Sequence, residues 1–123
     1  MEAGRMSTIK VDTIQDTSGN EQFTAKAWVN FNGTGTVAIR DSGNVSSLTD
    51  GGTGIYTVNF ANSMSNASFS ASGVGGGTMP GNGSRVFLPQ TYTTSSLLFY
   101  GQWQPTSAYF DAVHYNVVAH GTM

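Results

Sequence analysis

Apolar residues recur at every second position along much of the chain, and glycine-rich stretches cut that alternation into short runs. Ala27, Val29 and Phe31 form one set, with Lys26, Trp28 and Asn30 between them. Val37 and Ile39 resume it after Asn32-Gly33-Thr34-Gly35, and Tyr56, Val58 and Phe60 repeat it beyond the corner Asp50-Gly51-Gly52. A period of two puts successive side chains on opposite faces of a strand, so each run offers one face to a core and one to water. Glycine pairs suit the positive φ of the tight turns between such strands. No window sustains the three- and four-residue apolar spacing of a helix, so the chain reads as all-β.

The second half continues in the same manner. Phe69 and Ala71 predict a strand, followed by Gly73 to Gly83, whose glycines predict a mobile surface loop. Further strands are expected from Arg85 to Leu88, ended by Pro89, and from Ser95 to Trp103, ended by Pro105. The last runs from Tyr109 to His120, with Val113, Tyr115, Val117 and Ala119 on one face and His114, Asn116, Val118 and His120 on the other. Seven or eight strands at intervals of about ten residues predict an antiparallel β-sandwich or jelly roll over residues 25–123. Residues 1–24 stand outside that count as an extended N-terminal arm. Its Ile9, Val11 and Ile14 have little to bury against in one small sandwich, and several arms together would cover one another.

Composition narrows the function. The chain has 123 residues and a mass of 12.9 kDa, enough for one ordinary domain. Charged residues make up only 10%, the net charge is −2, and five Lys and Arg are scattered, which argues against nucleic-acid binding. Without cysteine there is no disulfide, thiolate metal site or cysteine nucleophile. Met1 to Lys10 holds no apolar run of the signal-peptide kind and no window reaches the length of a membrane span, so synthesis in the cytoplasm without membrane insertion is expected. The sequons at Asn32, Asn44, Asn66 and Asn82 are by-products of an Asn-, Ser- and Thr-rich composition.

Catalytic patterns are thin. Ser is abundant, but there is no Gly-x-Ser-x-Gly elbow to expose a nucleophile. Asp41, Asp50 and Asp111 are the acids available for glycoside cleavage, and aspartates in glycine-rich turns more often cap the turn. Gly73 to Gly83 lacks the Gly-Lys-Ser/Thr ending of a phosphate loop. His114 and His120 share a strand face but lie six residues apart, about 20 Å, too far to share a metal within one chain. A homotrimer axis would gather three copies of either one. No catalytic residue, metal or cofactor is therefore assigned. Tyr92, Tyr100, Trp103 and Tyr109 cluster in the second half, and core packing, subunit contact and receptor contact are all open to them.

Two phrases carry a resemblance. Ser7-Thr8-Ile9-Lys10-Val11-Asp12-Thr13-Ile14-Gln15-Asp16-Thr17-Ser18-Gly19-Asn20 is similar to a segment of phage fibre proteins where the stalk or attachment region meets the next module. Trp28-Val29-Asn30-Phe31-Asn32-Gly33-Thr34-Gly35-Thr36-Val37, with Asn44-Val45-Ser46-Ser47 and Asp50-Gly51-Gly52-Thr53-Gly54, resembles a module toward the C-terminal end of tail fibres of phages infecting cyanobacteria and other aquatic bacteria. The resemblance spans roughly the first half and implies a non-enzymatic virion protein, usually a homotrimer, displayed on the particle and involved in host attachment. Other virion proteins and a host-surface glycan are the partners it implies. The long stalk of such fibres has no counterpart here, which leaves open a decoration of the head, neck or baseplate. A monomeric carbohydrate-binding module and an enzyme acting on host polysaccharide compete with the virion reading.

Overall fold

Eleven strands and no helix form in the computed structural model, which describes residues 7–76, 85–103 and 108–123. They are β1 (Ile14–Gln15), β2 (Glu21–Gln22), β3 (Ala27–Asn32), β4 (Ala38–Gly43), β5 (Val45–Gly52) and β6 (Ile55–Phe60), followed by β7 (Ser70–Gly76), β8 (Arg85–Thr93), β9 (Ser96–Trp103), β10 (Ala108–Tyr109) and β11 (His114–His120). One sheet has the order β4-β3-β11-β7. The other has the order β10-β9-β6-β5, with β8 also paired to β9, and all pairings are antiparallel. The fold is an antiparallel β-sandwich, as the period-two pattern predicts.

The core lies between the sheets and is built from the alternating positions. Ala27, Val29 and Phe31 of β3 and Tyr115, Val117 and Ala119 of β11 face Tyr56, Val58 and Phe60 of β6 and Leu97 and Phe99 of β9, all buried. Phe31 centres an aromatic cluster, with ring centroids 5.1 Å from Tyr56 and 5.2 Å from Tyr115. Edge and stacked contacts of this kind add to the burial of apolar area. A second cluster, Phe60, Phe69 and Tyr92, closes the other end.

Asn44 turns the chain from one sheet to the other between β4 and β5. Its φ of 54° is the left-handed conformation that asparagine tolerates better than most residues. Its Nδ2 donates to the carbonyls of Lys26 and Asn62, and its Oδ1 accepts from the Asn62 backbone N–H at 2.7 Å. Asn32 and Asn66 each accept from a backbone N–H two residues on, so these sequon asparagines are engaged in turns.

Several boundaries differ from expectation. Gly73 to Gly76 are not loop: they lie in β7, paired residue for residue with β11 from Gly76 opposite His114 to Gly73 opposite Val117. Glycine suits that stretch because space is short, a Cβ on Gly73 falling 2.7 Å from the Phe87 ring. The remainder of the expected loop, and Pro105, lie outside the described residues. Pro89 does not end its strand: β8 runs through it, paired with β9, with a register shift between Pro89 and Thr91. The expected run from Tyr109 to His120 is two strands, because residues 110–113 cross from one sheet to the other. β5 has no counterpart in the apolar pattern, since Val45 and Leu48 are separated by Ser46 and Ser47. The arm is not wholly extended either. β1 and β2 form a small hairpin whose turn is held by Asp16, which accepts from the backbone N–H groups of Ser18 and Asn20.

Candidate functional site

Among the described residues, two outer sheet faces and the arm stand out as surfaces for a partner. On the four-stranded sheet, the positions of β3 and β11 that alternate away from the core are brought side by side. Trp28 pairs with Val118 and Asn30 with Asn116, and across β11 these meet Ser72 and Val74 of β7. Asn30 Nδ2 donates to Asn116 Oδ1 at 2.5 Å, and Arg40 reaches Asn30 Oδ1 at 3.5 Å. Trp28 is 40% exposed and its indole lies across Gly43, where a Cβ would collide with Nε1. Trp28, Asn30, Ser72, Val74, Asn116 and Val118 line a groove of about 480 Å³.

The outer face of the second sheet is more apolar. Ile55 of β6, Tyr100 of β9 and Leu88 of β8 form a row of direct cross-strand neighbours, and Leu98 lies in the next row between Thr57 and Thr91. Tyr109 packs on Tyr100 with ring centroids 5.3 Å apart. All are partly or fully exposed, and they form a band rather than single apolar residues.

The four aromatic candidates thus separate. Tyr100 and Tyr109 meet on this outer face, whereas Tyr92 is half-buried against Phe69 at 4.9 Å and belongs to the core. Trp103 sits at the end of β9, opposite Ala108 and Arg85, on the parity that Leu97 and Phe99 direct inward.

In the arm, Ile9 is 85% exposed, Phe23 80%, and Val11 and Ile14 more than half. Val11, Ile14 and Phe23 line a groove of about 540 Å³ whose other wall is the chain's end, His120 to Met123. Phe23 was not among the sequence candidates, although its apolar ring among polar neighbours is the same signal that marks Ile9.

The titratable groups are engaged in structure or spread apart. Asp111 Oδ1 accepts from the Gly54 N–H at 2.9 Å and from the buried Tyr56 hydroxyl, which also faces the Gly33 carbonyl at 2.9 Å. Tyr115 donates to the Phe110 carbonyl at 2.5 Å. Burial first, and then the neighbouring Asp111, push both tyrosine hydroxyls well above their ordinary pKa. Asp50 caps its turn by accepting from Gly52 N–H at 3.0 Å, and Asp41 accepts from Ser42 N–H. Exposed Asp16 is lowered, chiefly by hydrogen bonds from Asn20. His114 and His120 occupy opposite ends of β11 on its outer face, facing Gly76 and Ser70. Among the described residues, no group of three or more His, Cys, Asp and Glu is arranged to hold a metal ion.

No family model, curated protein or solved structure matches this chain. Trp28, Asn30 and Asn116 are further surface residues that sequence reasoning missed. Parity put each on a solvent face, but only the pairing of β3 with β11, some ninety residues apart, makes them one surface.

Proposed function

We propose that this protein is a non-enzymatic structural and host-attachment protein of a bacteriophage virion, of tail-fibre type, working as a homotrimer. The observation that carries this reading is the arm, whose Ile9, Val11, Ile14 and Phe23 side chains are left in water by a single chain. Burial of each such side chain is worth about 1.5–3 kcal/mol, so arms that cover one another gain a driving force the monomer lacks. The apolar band of Ile55, Leu88, Leu98 and Tyr100 offers a second surface for the same assembly. The fibre-like wording of residues 7–20 and 28–54 supplies the virion context.

A symmetric trimer repeats each weak contact three times, which raises avidity without a deep pocket. That suits a small sandwich whose surface is polar and nearly uncharged. Electron microscopy of phage particles labelled with gold-conjugated antibody against this protein tests the reading. Gold at the tail or its fibres is the expected result, and particles that carry no label despite expression of the protein contradict it.

A further inference from the structure

Within that attachment reading, on which the inference rests, we propose that the groove on the β4-β3-β11-β7 face binds a neutral, hydroxyl-rich glycan. Trp28 supplies the stacking surface and the Asn30–Asn116 pair the hydrogen-bonding floor. The groove lies over β11 between Trp28 on β3 and Val74 on β7. Two strand spacings, about 10 Å, separate those walls.

The chemistry of the lining selects the ligand. Trp28 rests against Gly43 of β4 and is 40% exposed, so part of its indole stays open to a ligand. The hydrogen bond from Asn30 to Asn116 orients both amides, and Asn116 Nδ2 has no partner among the described residues. Its N–H groups are thus held ready for an acceptor. Ser72 adds a hydroxyl beside Val118.

No Asp, Glu, Lys, Arg or His lines the groove, and the Arg40 guanidinium at its edge is engaged with Asn30 Oδ1 at 3.5 Å, so an anion finds no charged group inside the groove itself. A purely apolar partner would strand the amide hydrogens, at a cost set by their desolvation. A sugar satisfies both requirements: its C–H face lies on the indole while its hydroxyls exchange hydrogen bonds with the amides.

The test uses the full chain and a Trp103→Phe variant, which leaves Trp28 as the sole indole of the two in the sequence. Cello-, malto- and mannohexaose are titrated, followed by Trp28 fluorescence and by calorimetry. The expected result is saturable binding of at least one of them, weakened roughly tenfold or more by Trp28→Ala and by Asn116→Ala. Both side chains lie outside the core, and circular dichroism establishes that the variants fold. Absence of saturation with all three sugars overturns the proposal, as does affinity held within about twofold in both variants. A change in assembly mass on Trp28→Ala without loss of sugar binding also overturns it, by making this face a contact between copies. Because assembly mass and particle labelling are read separately, failure of the glycan site is distinguishable from failure of the virion reading.

Discussion

The Tyr56 hydroxyl donates to the Asp111 carboxylate across 55 positions of sequence, and the same Oδ1 accepts from the backbone N–H of Gly54. One carboxylate therefore ties the crossover between β10 and β11 to the turn that opens β6. Removing the Asp111 carboxylate takes the acceptor from the Gly54 N–H, and removing the Tyr56 hydroxyl takes a donor from the partly buried carboxylate. Tyr56→Phe and Asp111→Ala are each expected to lower stability by about 1–3 kcal/mol. Chemical denaturation of the two single variants and the double checks this, with the double costing less than the sum of the singles.

Alkaline pH acts on the same cluster. Tyr56 and Tyr115 have folded pKa values raised above the ordinary 10.0, so both stay protonated in the native state where the unfolded chain ionises. Their contribution is fully present below pH 10 and is lost as pH rises above it, because the unfolded state then binds fewer protons. Unfolding free energy should fall by up to about 1.4 kcal/mol per pH unit for each of the two tyrosines. Denaturant titrations between about pH 9 and 12 should show that slope roughly halved in Tyr115→Phe.

Asn44 combines a left-handed backbone with hydrogen bonds to both flanking segments. Asn44→Ala loses the side-chain contacts and, with them, the local hydrogen bonding that lets asparagine tolerate a positive φ, a conformation that costs an ordinary L-residue about 1–2 kcal/mol. Asn44→Gly keeps the conformation and loses only the contacts. Thermal unfolding is expected to rank wild type above Asn44→Gly and Asn44→Gly above Asn44→Ala.

The inward face of the sandwich was legible in the sequence. Ala27, Val29, Phe31, Tyr56, Val58, Phe60, Tyr115, Val117 and Ala119 occupy the buried positions their alternation assigns, whereas Ile39, assigned to the same set, is exposed on β4 next to the register shift between Asn30 and Phe31. The elements that escaped lack that signal. β5 is rich in Ser and Thr, and its partner β6 rather than its own pattern makes it a strand. Gly73 to Gly76 read as loop because glycine carries no side-chain periodicity, yet β11 needs a partner there that leaves room for Phe87 and Tyr115. Pro89 does not terminate β8, which stays paired with β9 and shifts register just after it. The groove beside Trp28 depends on long-range pairing and register, and alternation alone carries neither. The exposed arm residues Ile9, Val11 and Ile14 were legible, since no alternating partner was available to cover them.

Assembly through that arm is the claim on which the proposed role turns, and light scattering after gel filtration reads it directly. The full chain is expected at three times its 12.9 kDa mass. A chain lacking residues 1–24 should show a smaller assembly with the sandwich still folded. A full chain that elutes at 12.9 kDa across the accessible concentration range would contradict it.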